Sequence, residues 1–393
     1  MAQTLDRLSE IVKNYYLPAF RNQLGIEPSP FLEKIKKAPL TSNIIKAGAP
    51  VGINGGFGFG AEGKPTPTAG GQGYKGFEVE AADMYVDIQI SNKTVKLASG
   101  SDGAILNALD QEIRSSYAAA KWNVSRALFG DSRGILTTVS AASDATTTIT
   151  VADTTRLIEG LVVDFYATGA TVGSTPAIKA RRITSVDRVG KKITIDGAAT
   201  TVSAGFITVQ NSYGREIVGL GSFIDDTVTE IYGIKKAENT WIKPVVVDCT
   251  GGISDIELYD GVKQAKDFKN SDVNMILMGD EAFKAYQEYI RANNVVNVEK
   301  MVFEGGSAGY RILVGSNVVD VVNERFVGKT EAIGVDTNAF TLHHTDWDFM
   351  AKDGAIFVPM AGTSVYRALL ANYGNLMCEN PGGVVHYKNI TLA

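Results

Sequence analysis

The clearest strand pattern in this chain lies between residues 77 and 90. Phe77 and Val79 alternate with acidic side chains, and Val86, Ile88 and Ile90 alternate with more polar neighbours. A repeat of two places the apolar side chains on one face of an extended strand. We therefore expect strands here with one face against a core and the other in solvent.

A glycine-rich stretch, residues 48–76, precedes and overlaps this pattern and holds eleven glycines in 29 residues. Its segment GFGAEG, residues 58–63, matches the G-x-G-x-x-G phosphate-binding pattern, but that motif needs a helix directly after it. Pro65 and Pro67 exclude a helix at that place. A loop of this length inside a compact domain usually has a function. Together with its flanking strands, the stretch predicts a long two-stranded arm that projects from the body.

The longest helix signal begins at Ser101 and Asp102, which are good N-terminal capping residues, and ends at Gly130. Apolar residues between them recur at spacings of three and four and form one stripe. The pattern predicts a helix of about 28 residues, on the order of 40 Å long. The stripe consists of Ile105, Leu109, Ile113, Tyr117, Ala120, Val124 and Leu128.

From residue 137 to residue 150, eight of fourteen residues are serine or threonine, and no helical period appears before about Tyr213. Short apolar stretches alternate there with turn residues, and the segment VDRVGKKITID predicts a hairpin with its turn near Gly190. We expect a small β-barrel or sandwich, inserted between the long helix and the remainder of the chain.

The last third of the chain alternates between strand and helix patterns. Ser254 and Glu257 form a capping box before a helix with Tyr259, Val262 and Ala265 on its apolar side, and Asp280 is expected to cap the next helix. Strands are expected at IKPVVVD, VNMILMG, YRILVGS, VVDVVNE, EAIGVD, FTLHHTD and GAIFVP. The pattern predicts a mixed sheet with helices on its faces.

Composition narrows the classes of function. The chain has 393 residues, 45% hydrophobic and 21% charged, with a net charge of -5, so no strongly basic face indicates sequence-specific nucleic-acid binding. Cys249 and Cys378 fit neither a disulfide framework nor a zinc spacing, which favours a reducing compartment. The first twenty residues carry charges every few positions and do not resemble a signal peptide. No apolar run is long enough to span a membrane.

Two segments resemble catalytic or metal-binding motifs. Ser307 lies in a G-x-S-x-G pattern, but the strand expected after it does not fit a nucleophile elbow, which needs a helix. The segment HHTDWD would place His344, Asp346 and Asp348 on one face of an extended strand, beside His343, where a metal site is conceivable and a polar strand end is the simpler interpretation. The third histidine, His386, is far away in sequence. We therefore predict no catalytic residue, no metal and no cofactor.

The order of these parts resembles the major capsid protein of tailed bacteriophages, which has the Hong Kong 97-type fold. The resemblance covers essentially the whole chain and rests on order and spacing. Its helix would be SDGAILNALDQEIRSSYAAAKWNVSRALFGD, its strand-then-helix core NMILMGDEAFKAYQEYI, and its closing strands YRALLANYGNLMCENPGGVVHYKNITL. Periodicity alone favours a helix at residues 364–373, so there the resemblance overrules the pattern.

The resemblance implies an α+β fold with seven segments. They are an N-terminal arm (1–44), an extended loop that forms the glycine-rich hairpin (45–95), a peripheral domain with a spine helix (96–134), an inserted β domain (135–215), a return to the peripheral domain (216–244), an axial domain (245–355) and the closing strands of the peripheral domain (356–393).

The resemblance also implies a function. The chain would be a structural protein and not an enzyme, assembling in the host cytoplasm as hexamers and pentamers into an icosahedral virion shell around double-stranded DNA. DNA contacts would not be sequence-specific. Expected partners are further copies of the chain, a separate scaffolding protein and a portal, with no membrane.

Some members of this group join a lysine of the loop covalently to an asparagine of a neighbour. Lys64 and Lys75 are conceivable donors here, and Asn375 and Asn380 are conceivable acceptors. Other classes stay open at this point: an encapsulin shell shares the fold but encloses enzymes, a β-rich adhesin would need a secretion signal, and an enzyme would need His343 or Ser307.

Overall fold

The computed structural model describes residues 29–51, 55–63, 65, 68, 70, 71, 73–93, 116, 118–141, 143–293, 299–302, 308–314, 317–350 and 356–391. Its helices are α1 (Pro30–Lys34), α2 (118–128), α3 (Gly221–Ile224), α4 (Asp255–Lys269) and α5 (Asp280–Ala292). In chain order its strands are β1 (Lys36–Pro39), β2 (Ile44–Val51), β3 (Gly73–Glu80), β4 (Ala82–Ser91), β5 (Ile135–Val139), β6 (Ser143–Thr146), β7 (Thr148–Thr150), β8 (Val162–Ala167), β9 (Ile178–Asp187), β10 (Lys192–Ile195), β11 (Thr200–Val202), β12 (Gly205–Val209), β13 (Glu230–Ile231), β14 (Ile234–Lys235), β15 (Val245–Asp248), β16 (Met275–Met278), β17 (Glu299–Val302), β18 (Ala308–Val314), β19 (Asn317–Asn323), β20 (Ala332–Val335), β21 (Phe340–His344), β22 (Asp348–Phe349), β23 (Val358–Pro359), β24 (Val365–Cys378) and β25 (Val385–Lys388).

A seven-stranded mixed sheet has the order β15-β25-β20-β16-β19-β18-β17. The fully buried strand β16 separates two cores: Ile276 and Met278 lie in a core with α4 and α5, whereas Met275 and Leu277 face a second core. A strand buried on both faces reads as a continuous apolar run, which is the pattern of VNMILMG. The mixed sheet and its helices are confirmed with five of the seven expected strands. The prediction was wrong for FTLHHTD, which forms β21, and for GAIFVP, which contributes only β23, because both pair with β24 in a second sheet.

Helix α4 begins with the predicted capping box, since the Ser254 side chain accepts from the Ile256 amide and Glu257 accepts from the Ser254 amide. Val262 and Ala265 are buried as predicted, but the prediction that Tyr259 faces the core is wrong: Tyr259 is 41% exposed, and Leu258 is buried instead. Both residues are apolar, so the sequence did not distinguish the two sides of the helix.

Helix α5 starts one residue earlier than predicted. Gly279, and not Asp280, occupies the N-cap position, and no side chain caps this end. The amides of Glu281 and Ala282 instead donate to the Lys329 carbonyl oxygen at 3.1 and 2.9 Å. A carbonyl from a distant loop thus satisfies amides that a capping side chain otherwise binds.

Strand β24 is the centre of a second sheet. It pairs antiparallel with β4 along one edge, from Val365 opposite Ser91 to Gly374 opposite Ala82. Its other edge pairs with β23, β22 and β21, and β1 adds to β21 in parallel. Ladders on both edges override the helical period of residues 364–373, so the strand expected from the resemblance is confirmed.

Strands β5 to β12 build a separate β unit with its own core. Its main sheet has the order β5-β12-β8-β9-β10-β7, and the β9–β10 hairpin pairs Asp187 with Lys192, which confirms the turn near Gly190. The half-buried Arg156 connects this unit to the body, because its guanidinium donates to the carbonyl oxygens of Phe129 and Phe326 at 3.0 and 3.3 Å.

The long predicted helix is present where the structure describes it. Residues 118–128 are helical, with Ala120 and Leu128 buried as the stripe predicted. Residues 101–115 of the prediction lie outside the described residues. The described part of the helix ends shortly before Gly130, as expected.

Helix α1 inserts into the core shared by the arm, α2, the seven-stranded sheet and β24. Ser29 caps this helix, and Phe31 is completely buried. The Phe31 ring lies 6.1 Å from the ring of Phe129 and 5.4 Å from that of Phe340, between centroids. Lys34, at the other end of α1, forms an ion pair with Asp320 on β19. The helix is therefore fixed at both ends and along its apolar side.

The carboxyl group of Glu324 is buried where α1 meets the end of β19. Ser29 Oγ donates to Glu324 Oε2 at 2.8 Å, and the Phe326 amide donates to Oε1 at 3.4 Å. Burial raises the pKa of Glu324 to about 7, although the hydrogen bond from Ser29 opposes the shift. The buried acid therefore binds a proton up to near-neutral pH.

Replacing Phe31 by alanine leaves a cavity where four parts of the chain meet. We expect a loss of about 3–5 kcal/mol in the free energy of unfolding, measured by guanidinium denaturation. Phe268→Ala is the matched control, because that ring is 77% exposed on α4, and it should change stability by less than about 0.5 kcal/mol. Equal losses in the two variants would contradict the role of Phe31.

Replacing Glu324 by glutamine removes the titrating group. Because the folded pKa lies above the unfolded one, the contribution of Glu324 to wild-type stability is complete below about pH 4.5 and is lost as the pH rises towards and through 7. We therefore expect the free energy of unfolding of the Glu324→Gln variant to rise relative to that of the wild type over this range, by up to about 3 kcal/mol at pH 8. Denaturation curves at pH 4, 6 and 8 measure this difference, and the variant Glu238→Gln, at an exposed position, is the control. If the stabilities of Glu324→Gln and the wild type change with pH in parallel, the raised pKa of Glu324 is disproved.

Candidate assembly surface

In the part of the chain that the structure describes, the two motifs with candidate catalytic residues do not form a site. Ser307 lies outside the described residues, and strand β18 follows it where a nucleophile elbow needs a helix. His343 and His344 end β21, and a new strand begins only at Asp348. The extended strand that would align His344 with Asp346 and Asp348 is therefore interrupted.

The remaining histidine lies in the other sheet. His386 belongs to β25, with its Nε2 3.6 Å from Glu331 Oε2. His344 Nδ1 lies 2.8 Å from the carbonyl oxygen of Thr345. Within the described residues, no group of three metal-ligating side chains is close enough to hold an ion.

Both cysteines are free thiols in the interior. Burial raises the pKa of Cys249 to about 11 and the pKa of Cys378 further above its usual range. A thiol that stays protonated is a poor nucleophile and a poor metal ligand. Among the described helices, none is long and apolar enough to cross a membrane.

The asparagines considered as cross-link acceptors are engaged within the subunit. Asn375 is buried; its Nδ2 donates to the Glu80 carbonyl oxygen at 2.8 Å, and its Oδ1 accepts from the Val218 amide at 2.8 Å. Asn380 Nδ2 donates to the Lys269 carbonyl oxygen at 2.8 Å. The structure therefore gives Asn375 a role in holding its own fold, and it does not present Asn375 to a neighbour.

Of the two candidate lysine donors, Lys64 lies outside the described residues and Lys75 lies within them. Lys75 Nζ donates to Asn239 Oδ1 at 2.6 Å within the same chain. Asn239 was not predicted, because it lies 164 positions further along the chain and carries no local signal.

Strands at the two ends of the glycine-rich stretch pair antiparallel, as predicted. Strands β2 and β3 pair along their whole length, from Ile44 opposite Glu80 to Val51 opposite Gly73. Residues 58–63 contain only irregular backbone and a turn. This backbone is not the start of a helix, so it lacks the amides that bind a pyrophosphate.

The base of the arm is packed against its own subunit. Phe77 is buried and stacks on Tyr232, with ring centroids 5.6 Å apart. Tyr232 adopts a φ of 52° and Gly233 a φ of 75° in the two-residue turn between β13 and β14. The Tyr232 hydroxyl donates to the Leu376 carbonyl oxygen at 2.9 Å and accepts from the Cys378 amide at 3.0 Å. These bonds and the stacking offset the strain of a left-handed tyrosine.

The tip of the arm has the opposite character. Phe57 is 81% exposed and Phe59 is 98% exposed, and their rings touch only edge to face, with centroids 5.5 Å apart. The sequence analysis recognised the glycines of this segment but not its aromatic residues, although the segment GFGFG contains both. Aromatic side chains on a glycine-rich backbone are suited to insertion into another surface.

No protein-family model matches the sequence, and no curated protein matches it either. Solved structures do match this chain. The capsid asymmetric unit of cyanophage A-1(L) aligns with a TM-score of 0.55 at 9% identity, over 93% of this chain and 93% of that chain.

Two further structures align less closely. The capsid of a native GTA particle has a TM-score of 0.49 at 8% identity, over 93% of this chain and 92% of that one. The holo-SrpI encapsulin complex of Synechococcus elongatus PCC 7942 has a TM-score of 0.48 at 8% identity, over 93% and 89%. The match to the cyanophage subunit over nearly its full length agrees with the resemblance seen in the sequence: this chain has the fold of tailed-phage capsid proteins.

Proposed function

We propose that this chain is the major capsid protein of a tailed double-stranded DNA bacteriophage, and that it is structural and not catalytic. The observation that carries the proposal is the arm: a hairpin anchored at its base that holds Phe57 and Phe59 away from the described part of its own subunit. Apolar rings so exposed are stabilised by burial against another surface. In a shell, that surface is a neighbouring copy of the same chain.

The proposal assigns roles to the parts of the fold. The segment that ends in α1 and β1 is the N-terminal arm (1–44), and the β2–β3 hairpin is the projecting part of the extended loop (45–95), whose last strand, β4, joins the sheet around β24. Helix α2 and the sheet around β24 form the peripheral domain, the seven-stranded sheet with α4 and α5 forms the axial domain, and the β5–β12 unit is the inserted domain. Strand β25 joins the axial sheet, so the closing segment (356–393) serves both domains.

The proposal also names partners and a place. Copies form hexamers and pentamers of an icosahedral head, assembled in the host cytoplasm with a scaffolding protein and a portal. The head then encloses the genome. A net charge of -5 supports DNA contacts that are weak and not sequence-specific, because a basic surface would hold the phosphate backbone.

The test of this proposal is assembly of the purified chain. We expect size-exclusion chromatography with light scattering to give capsomers or larger particles, and negative-stain microscopy to show rings, tubes or closed shells. A monomer at all protein concentrations and salt concentrations, with or without a candidate scaffold, would contradict the proposal.

The double variant Phe57→Ser, Phe59→Ser tests whether the tip links the copies. We expect assembly to be lost or to need at least about tenfold more protein, because two buried aromatic anchors are removed. The unfolding midpoint should not change, since both rings are exposed in the subunit. The matched double variant Phe57→Leu, Phe59→Leu keeps apolar side chains and should retain most assembly. Normal assembly of the serine variant would assign the contact to another surface.

A further inference from the structure

Strand β4 lies at an edge of the sheet around β24. It pairs with β24 over ten residues without a shift of register, and among the described residues no other strand pairs with it. Along an antiparallel strand, successive residues direct their backbone N–H and C=O groups alternately to one side and to the other. Half of the backbone groups of β4 therefore point away from β24.

Hydrogen bonds at β24 identify which half of β4 points outward. The Leu369 carbonyl oxygen accepts from the Met350 amide at 2.8 Å on the far side of β24, so Asp87, which lies opposite Leu369, exchanges no bonds with it. At the end of the ladder, the Asn92 amide donates to the Ser364 carbonyl oxygen at 2.9 Å, which places the even-numbered residues in the bonding positions. The outward set, which we call the open edge, consists of Asp83, Tyr85, Asp87, Gln89 and Ser91.

The open edge is accessible along its whole length. The side chains of its five residues are exposed and share one face, whereas Ile88 between them is buried on the other face. Within the described structure, the backbone amides and carbonyl oxygens of these residues have no hydrogen-bond partner. The strand also lacks the proline and the bulge that often protect an edge. Such an edge is a template for an added strand.

The exposed face beside the open edge is acidic. It carries Asp83 and Asp87 on β4 and Asp348 on β22, which lies in the same cross-strand row as Tyr85. Arg367 is the only cationic side chain in β4, β22, β23 and β24, and its Nε donates to Asp87 Oδ1 at 2.7 Å. Three carboxylates thus face one guanidinium, and Asp83 has no cationic partner among the described residues.

An aromatic ring lies within this acidic face. Tyr85 is 53% exposed and contacts Tyr373 edge to face, with ring centroids 6.2 Å apart. Its hydroxyl donates to Asp83 Oδ2 at 3.3 Å. An exposed aromatic face beside a carboxylate attracts a lysine or arginine side chain.

Charge also decides between the possible occupants. If two copies of β4 paired antiparallel with full overlap of their open edges, Asp87 would lie opposite the same residue of the second copy. Like charges directly opposite each other destabilise a strand pair. A strand with lysine or arginine at every second position instead places a positive charge beside each acidic side chain, which is favourable.

We propose that the open edge of β4 is a docking site for an extended basic segment of another polypeptide. The segment adds to the sheet as a further strand, through the outward amides and carbonyl oxygens of β4. Its lysine or arginine side chains, at alternate positions, lie beside Asp83, Tyr85 and Asp87. This inference rests on the edge itself and not on the proposed function.

The experiment measures binding of synthetic peptides to the purified full-length chain by fluorescence anisotropy. The probe is about nine residues long, to match the open edge, with lysine at every second position and valine between. One control peptide has glutamate in place of lysine. A second control keeps the lysines but carries N-methyl groups on alternate backbone amides, on the side that would bond to β4. Two such peptides are made, one for each set of alternate amides.

We expect the lysine peptide to bind at least about tenfold more tightly than the glutamate peptide. One of the two N-methylated peptides should lose at least about tenfold in affinity, because its donors to the edge are removed, and the other should bind nearly as well as the unmodified peptide. Asp83→Asn should weaken binding of the lysine peptide by about threefold to tenfold.

A pair of variants at Gln89 locates the binding on the edge. Gln89→Pro removes an amide that points away from β24, so the ladder should remain and the affinity for the lysine peptide should fall by about tenfold. Gln89→Ala is the matched control, since it loses the same side chain and keeps the amide. The N-methylated peptides need no variant and test the edge even if Gln89→Pro lowers the unfolding midpoint.

Equal affinities of the unmodified peptide and both N-methylated peptides would overturn the proposal, because general charge attraction would then explain the binding. Equal affinities of the lysine and glutamate peptides would overturn the basic character of the partner. Absence of binding by the lysine peptide would also overturn the proposal. If Gln89→Pro in that case reduces the size of the particles that the chain forms and Gln89→Ala does not, the edge belongs to a second copy of the chain.

Discussion

Burial of apolar side chains in one shared core is the interaction on which the rest of the structure depends. Segments that are far apart in the sequence, from α1 to β24, contribute to this core, and Phe31 lies among them. Because burial of apolar surface is the main favourable term in folding, each of these segments is stabilised by packing against the others. The β5–β12 unit is different, since it has a core of its own and joins the body through a few polar contacts such as those of Arg156.

The arm shows how the same interaction divides a single hairpin into two parts. Phe77 and Ile45 lie in the shared core, so the base has the rigidity of the body. Phe57 and Phe59 are also apolar, but they have no apolar partner on the described surface of the subunit. In the proposed shell, apolar burial of the tip would become available when subunits meet, which would couple the completion of packing to association.

Local patterns predicted much of this fold. Alternation located β3 and β4, a continuous apolar run located β16, and the capping box of Ser254 located the start of α4. These signals are short-range and need no knowledge of the partner. Strand β24 needed more, because ladders on both of its edges decide its conformation against a helical period. The contacts that fix the arm were not predictable, since Asn239 and Tyr232 meet β3 only through the tertiary fold.

The position of β25 has a consequence for the order of events during synthesis. Residues 385–388 lie between β15 and β20 in the seven-stranded sheet, although β15 is made almost 140 residues earlier. Until β25 leaves the ribosome, β15 has no partner in that sheet and the inner edge of β20 stays open. Long-range pairing of this kind forms late and slowly. A nascent chain therefore cannot complete this sheet until residues 385–388 have been translated.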